Sequence, residues 1–140
     1  MYRSAGWIAE AVSGTLNGDD RQVVMNRVVT DSRSASAGSA YVARIGEATD
    51  GHDYVKQAVD NGAVALIVEH LVDVPPSVAQ IVVEDSTYAL GRLAHAHLED
   101  LRAHFGLDVI AMTGSAGKTT TKDLLFQIMS TDAPSVAPQL

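Results

Sequence analysis

The chain is 140 residues long and carries ten Lys and Arg against 17 Asp and Glu, a formal net charge of −7. Its hydrophobic content of 46% is enough to build a buried core, which excludes disorder as the main description, and the acidic balance argues against charge-driven binding to nucleic acid or anionic membrane. With no Cys, disulfide scaffolds, thiolate zinc sites and cysteine nucleophiles are excluded as well.

Ser4 is placed to cap a short helix to about Val12, with Ile8, Ala11 and Val12 on one face and Gly14 as its stop. The β-branched run Val23–Thr30 predicts a strand. A loop over Asp31–Gly38, a short strand at Ala40–Ala43 and a turn-rich stretch at Gly46–Asp53 follow. A helix is expected near Tyr54–Asn61, ending at Gly62, and then Ala63–Val68, apolar throughout, as a strand buried on both faces. Beyond the stiff Val74-Pro75-Pro76 connector come a strand at Gln80–Glu84 and a helix capped by Asp85 or Ser86. That helix runs to about Phe105 with Leu90, Leu93, Ala94, Leu98 and Leu101 at helical spacing. A last strand at Leu107–Thr113 leads through a glycine turn into a helix from Lys118 to about Met129.

Alternating strands and helices define an α/β fold with a mostly parallel or mixed sheet. Gly106 divides a self-consistent N-terminal domain, 1–106, from a second part, 107–140, that reads as the start of a further domain. The tail Ala133–Leu140 has the composition of a connection. No apolar run reaches the roughly 18 residues of a membrane span, and the N-terminus lacks the apolar stretch of a signal peptide. A cytoplasmic protein is the default expectation.

The motif with the most chemistry is Thr113-Gly114-Ser115-Ala116-Gly117-Lys118-Thr119-Thr120-Thr121, between an apolar strand and a helix. Gly114 and Gly117 allow the backbone to aim N–H groups at phosphate oxygens, and the helix start adds a positive dipole end. Lys118 can reach the outer phosphates, and the hydroxyl of Thr119 or Thr120 can ligate Mg²⁺. The usual phosphate-loop pattern fails at Met112, where a further glycine is wanted, and a plain strand-to-helix turn is the competing reading. Two other loops admit two readings each. Asp31-Ser32-Arg33 is either an anion site through Ser32 and Arg33 or a self-capped turn. Asp50-Gly51-His52-Asp53 is either a metal or acid–base site or turn-and-cap chemistry. His95, His97 and His104 are not spaced as a ligand pair on one helix face.

Taken in order, Thr30–Arg33, Gly38, Tyr41-Val42-Ala43, Gly46-Glu47, Asp50–Asp53, Ala58, Asn61-Gly62-Ala63, Val83–Thr87 and the Thr113–Thr121 loop resemble the Mur ligases over about residues 4–130. The family's short phosphate loop also accounts for the mismatch at Met112. Within the family, Ser115 and Lys122-Asp123 favour the member that adds D-alanyl-D-alanine over the one that adds the third amino acid. The resemblance implies an ATP-dependent ligase of peptidoglycan precursor synthesis. ATP phosphorylates the terminal carboxylate of a UDP-N-acetylmuramoyl-peptide, and the amine attacks the acyl phosphate. By the same resemblance, Gly114, Ser115, Ala116, Gly117, Lys118, Thr119 and Thr120 bind ATP, with Lys118 as the catalytic cation and Thr119 or Thr120 holding Mg²⁺. Asp31, Ser32, Arg33, Gly46, Glu47, Asp50, Gly51 and His52 line the UDP end of the substrate. Members of the family run to three domains, so a chain of this length is expected to be inactive alone. It is also expected to hide Val109, Ile110, Met112, Leu124, Leu125 and Ile128 by docking, disorder or self-association. A folylpolyglutamate synthase-like ligase and a non-catalytic UDP-sugar-binding module are the rival readings. The Asp31-Ser32-Arg33 and Asp50-Gly51-His52 loops speak against the first.

Overall fold

The computed structural model describes residues 2–138, so Met1 of the opening segment and Gln139 and Leu140 of the tail lie outside the described residues. The chain divides into two compact units, Met1–Phe105 and Gly106–Leu140.

In the first unit, strand β1 (Arg3–Ser4) runs directly into helix α1 (Ala5–Val12), and the Ser4 hydroxyl accepts from the Trp7 N–H as its cap. The helix stops one residue before Gly14, with Ser13 in the left-handed conformation. Gly14 is needed for another reason: a Cβ there would lie 2.6 Å from the Ile81 side chain. Strand β2 (Thr15–Asn17) follows. The single strand expected over Val23–Thr30 is two, β3 (Val23–Val24) and β4 (Val28–Val29). Between them the N–H groups of Met25 and Asn26 both donate to the Gly38 carbonyl, which turns the chain out of the ladder. Thus β3 pairs antiparallel with β1, while β4 joins the main sheet.

That sheet is completed by β5 (Ser39–Val42), β6 (Ala63–Val68) and β7 (Ala79–Val82), in the order β2-β7-β6-β5-β4. β4, β5, β6 and β7 are parallel neighbours, and only β2 runs antiparallel, along β7. The expected mixed α/β sheet is therefore present. Period-2 alternation sends Ala40, Val42, Ala65, Ile67, Ala79 and Ile81 into one core with Ile8 and Val12 of α1 and Leu93 of helix α3 (Ser86–Phe105). Tyr41, Ala43, Leu66 and Val68 enter the opposite core with Val55 and Ala58 of helix α2 (Val55–Asp60). Sheet residues buried on both faces explain why Ala63–Val68 carries no polar residue. Gln80 is the polar exception in β7, and its amide both accepts from the Val72 N–H and donates to the Val72 carbonyl, at 2.9 and 3.1 Å.

Helix α3 is capped by Asp85, whose carboxylate accepts from the Tyr88 N–H at 2.8 Å. Ala89 and Leu93 are buried along it, Leu90 is half-buried, and Ala94 is exposed, against the expectation for that residue. A Cβ at Gly91 would meet nothing within 4 Å. Gly91→Ala is therefore expected to raise stability by about 0.5–1 kcal/mol, through lower unfolded-state entropy. Urea denaturation at constant m-value checks this, and a loss would show that the position is crowded.

The second unit contains helix α4 (Lys118–Asp132). The strand expected at Leu107–Thr113 is absent: these residues form no ladder, because no second strand of that unit is there to receive their hydrogen bonds. No described residue of α4 is buried, and Leu124 and Ile128 are more than half exposed. Among the described residues no helix is long and apolar enough to cross a membrane.

Candidate functional site

Because β4, β5, β6 and β7 are parallel, the loops leaving them collect along one edge of the sheet, the carboxyl edge. These loops begin at Thr30, Ala43, Glu69 and Val83 and include every substrate-site residue expected in the first unit. In open parallel sheets this edge is where small ligands bind, since side chains and free N–H groups from several loops converge there.

After β4, Asp31 caps a single tight turn, Ser32–Ser34, by accepting from the Arg33 N–H at 2.9 Å. Its carboxylate also takes the Arg33 guanidinium through Nε at 3.0 Å and Nη2 at 2.7 Å. Both halves of the clasp are exposed, and Nη1 is not part of it. Ser32 points the other way. It is buried, its Oγ donates to Gln57 Oε1 at 2.5 Å, and its carbonyl accepts from Asn61 Nδ2 at 3.0 Å. The turn is thus self-capped and anchored to α2, with the guanidinium left at the surface.

The Arg33 guanidinium and its backbone N–H hold the Asp31 carboxyl down to about 2, from an ordinary 3.8. A depressed pKa means that the clasp contributes fully above about 3.8 and is lost as the pH falls through about 2. The Asp31 side-chain carbon resonance should titrate with a midpoint near 2. A midpoint at the ordinary value would show that the clasp does not form in solution.

After β5, Ile45 bridges Asp50, and the Gly46 N–H donates to the Thr49 carbonyl at 2.9 Å, leaving Gly46 and Glu47 on an exposed tip. Asp50 then caps the tight turn Gly51–Tyr54, which leads into α2. Its Oδ1 accepts from the His52 N–H at 2.9 Å and lies 2.6 Å from His52 Nδ1, which holds the Asp50 carboxyl below its ordinary range. His52 Nε2 accepts from the Glu69 N–H at 2.9 Å, and the His52 ring stacks on His70 with centroids 4.3 Å apart. Glu69 Oε1 in turn accepts from the Ser86 N–H and hydroxyl, at 2.9 and 2.8 Å. Gly51 closes the loop against β5: its N–H donates to the Arg44 carbonyl at 2.8 Å, and its own carbonyl accepts from the Tyr41 hydroxyl at 2.9 Å. Burial, with the Asp31 and Asp50 charges adding to it, pushes the Tyr41 hydroxyl up, so it stays a donor.

Glu69 and Arg44, whose Nε donates to Thr87 Oγ1 at 3.2 Å, are missing from the residues read out of the sequence. The available signal was position, since each is the first charged residue after the end of a parallel strand.

The second unit carries the glycine loop. Gly114 and Gly117 have φ of +155° and +77°, conformations that favour glycine. Gly117 sits at the N-cap of α4 with no side chain capping the helix, so the first N–H groups of Lys118, Thr119 and Thr120 lack the usual partner. The Lys118 ammonium donates to the Gly114 carbonyl across the loop. Two glycines at positive φ, an uncapped helix start, a lysine and adjacent threonines fit a phosphate group bound there with a hard cation. Among the described residues no group of three or more His, Asp or Glu could hold a metal.

A mostly parallel α/β sheet whose loops collect at its carboxyl edge, with a glycine–lysine helix start in the second unit, is the architecture against which the relatives are compared. The chain belongs to the Mur ligase family: the model of the Mur ligase family, catalytic domain, matches residues 25–103. UDP-N-acetylmuramoyl-tripeptide–D-alanyl-D-alanine ligase of Bacillus subtilis is 41% identical over 133 residues, which is 94% of this chain and 28% of that protein. The crystal structure of MurF from Acinetobacter baumannii superposes with a TM-score of 0.83 at 39% identity, covering 96% of this chain and 29% of that one. MurF from Thermotoga maritima, solved in complex with ADP, gives a TM-score of 0.64 at 34% identity, over 78% and 24% of the two chains. The chain thus spans about a quarter of the length of the relatives it matches.

Proposed function

We propose that this chain supplies the UDP-binding part, and the phosphate-binding loop, of an ATP-dependent ligase that joins D-alanyl-D-alanine to UDP-N-acetylmuramoyl-tripeptide. The observation that carries the reading is the convergence of the Asp31–Arg33, Gly46–His52, Glu69 and Asp85–Thr87 segments on the carboxyl edge of one parallel sheet. Arg33 offers the exposed cation for a diphosphate, and the Gly46-Glu47 tip is free to close on the nucleoside end. Asp50 and Gly51 shape the wall between them.

In the second unit, the N–H groups at the start of α4 and the Lys118 ammonium would receive phosphate oxygens of ATP, and Thr119 or Thr120 would offer a hydroxyl to Mg²⁺. Lys118 would leave the Gly114 carbonyl to do so, exchanging a neutral acceptor for a charged one. The nucleotide supplies the phosphoryl group that activates the carboxylate. The residues of this chain hold that group and offset the negative charge growing on it. A cytoplasmic location is proposed for this chain, since ATP and a UDP-linked substrate would both have to reach it there.

Calorimetric titration of the 140-residue polypeptide with UDP-N-acetylmuramoyl-tripeptide is expected to give one-to-one binding. ATP is expected to bind weakly, because a loop without paired strands beside it is poorly preorganised. A phosphate-release assay with ATP and both substrates is expected to show no turnover. Absence of heat with the UDP compound would overturn the reading, and turnover would overturn the expectation of inactivity.

A further inference from the structure

We propose that Glu69 is a positioning residue for the UDP-end ligand, acting through His52 and the start of α3 and not by contact. The role deepens the proposed function and rests on the carboxyl edge being the binding surface.

The His52 ring is only 5% exposed, and both of its nitrogens are engaged within the protein. An ionised Asp50 carboxylate can only accept, so Nδ1 carries the proton. The Glu69 N–H can only donate, so Nε2 carries the lone pair. His52 is therefore held as the neutral Nδ1–H tautomer, its face covered by His70, with no nitrogen left for a ligand. What the ring does is fasten the loop after β5 to the first residue after β6.

Glu69 carries the connection onward. Its backbone takes His52, and its side chain takes both donors of Ser86, a residue 0% exposed at the first position of α3. At the next residue, Thr87, Oγ1 accepts from Arg44 Nε in the loop after β5. Asp50, His52, Glu69, Ser86, Thr87 and Arg44 thus form a closed circuit through three separate segments of the carboxyl edge. A single tie would let one loop swing about it. A circuit fixes their spacing, which is what a ligand spanning several loops requires. Both Ser86 bonds end on the same Glu69 oxygen, so an amide at this position keeps the acceptor, and alanine deletes the link altogether.

The test compares Glu69→Gln with Glu69→Ala in the 140-residue chain. Calorimetry with UDP-N-acetylmuramoyl-tripeptide should give a dissociation constant within about threefold of the parent for Glu69→Gln and at least about tenfold weaker for Glu69→Ala. Long-range ¹H–¹⁵N spectra of the ligand-free chain should show His52 protonated at Nδ1 in the parent and in both variants, because the Asp50 carboxylate and the Glu69 N–H that hold it are retained in each. A purely structural role would lower the unfolding midpoint of Glu69→Ala and leave the affinity of the folded chain at the parental value, without the rescue by Glu69→Gln. If Glu69→Ala does not fold, Ser86→Ala, which removes one of the two bonds, should give an intermediate loss of affinity. Parental affinity in Glu69→Ala, equal losses in both Glu69 variants, or an Nε2–H His52 in the parent would overturn the role. A parent chain that binds no UDP compound yet shows the Nδ1–H tautomer would overturn the reading of the surface and leave the circuit as architecture.

Discussion

Replacing Gly51 by alanine is expected to destabilise the first unit by about 3 kcal/mol and to abolish binding of the UDP compound together with it. The added Cβ would lie 2.6 Å from the Arg44 nitrogen and 2.8 Å from the Arg44 oxygen, both backbone atoms at the exit of β5. No rotamer change relieves such contacts, so the loop must move. Moving it breaks the Gly51 N–H bond to Arg44 and the Tyr41 hydroxyl bond to Gly51, at 2.8 and 2.9 Å, and displaces Asp50 and His52 on either side. Gly46→Ala is the internal control: its Cβ would approach only the Thr49 oxygen, at 3.3 Å, so a small shift of the exposed tip absorbs it. Denaturant unfolding of both variants and ligand titration of Gly51→Ala check the expectation. Equal stability of Gly51→Ala and the parent would mean that the β5 exit is not packed as described.

Ile67→Ala is expected to be the most damaging single truncation in the core, at about 4 kcal/mol. Ile67 is 0% exposed and lies in the central strand β6, with β5 and β7 on its two sides. It shares its core with Ile8 and Val12 of α1 and Leu93 of α3. A strand hydrogen-bonded on both edges and covered on both faces cannot shift to fill the space, so the cavity term is retained in full. For a unit of about a hundred residues this corresponds to a fall of roughly 15–25 °C in melting temperature. Ile67→Val should lose only about 1 kcal/mol. A loss below about 1 kcal/mol for Ile67→Ala at unchanged m-value would indicate that the sheet collapses onto the vacancy.

The elements that packing dictates were legible in the sequence. Ala63–Val68 is found with its expected bounds, because an unbroken apolar run flanked by Gly62 and Glu69 has one solution in an α/β chain. α1 and α3 likewise begin where the Ser4 and Asp85 caps place them. The misread strands all concern pairing partners. Val23–Thr30 has strand composition throughout, but the Gly38 carbonyl captures two of its N–H groups and splits it between two sheets. Thr15–Asn17 has no strand signature and becomes one by lying antiparallel to Gln80–Val82. Leu107–Thr113 has the composition of a strand and forms none, since a ladder needs a neighbour. In the candidate site, residue type left each loop open between a ligand site and turn-and-cap chemistry, only the family resemblance assigned them to a ligand, and the direction of each side chain was not legible. Ser32 faces α2, and His52 is enclosed, whereas Arg33 and Glu47 stay at the surface. Glu69 escaped notice because an isolated carboxylate after a strand has no motif until Ser86, 17 residues on, is brought against it.

The strand lengths across the main sheet run 3, 4, 6, 4 and 2 residues from β2 to β4, so the sheet tapers toward both sides. Short margins present few unsatisfied amides to another molecule, and the Ala-Val-Ala-Leu-Ile-Val segment, with no charge and no proline, is sealed at the middle. The same hexapeptide released by unfolding has the make-up of a self-assembling segment. Loss of the native state is therefore expected to favour self-association through this segment over a dispersed open chain.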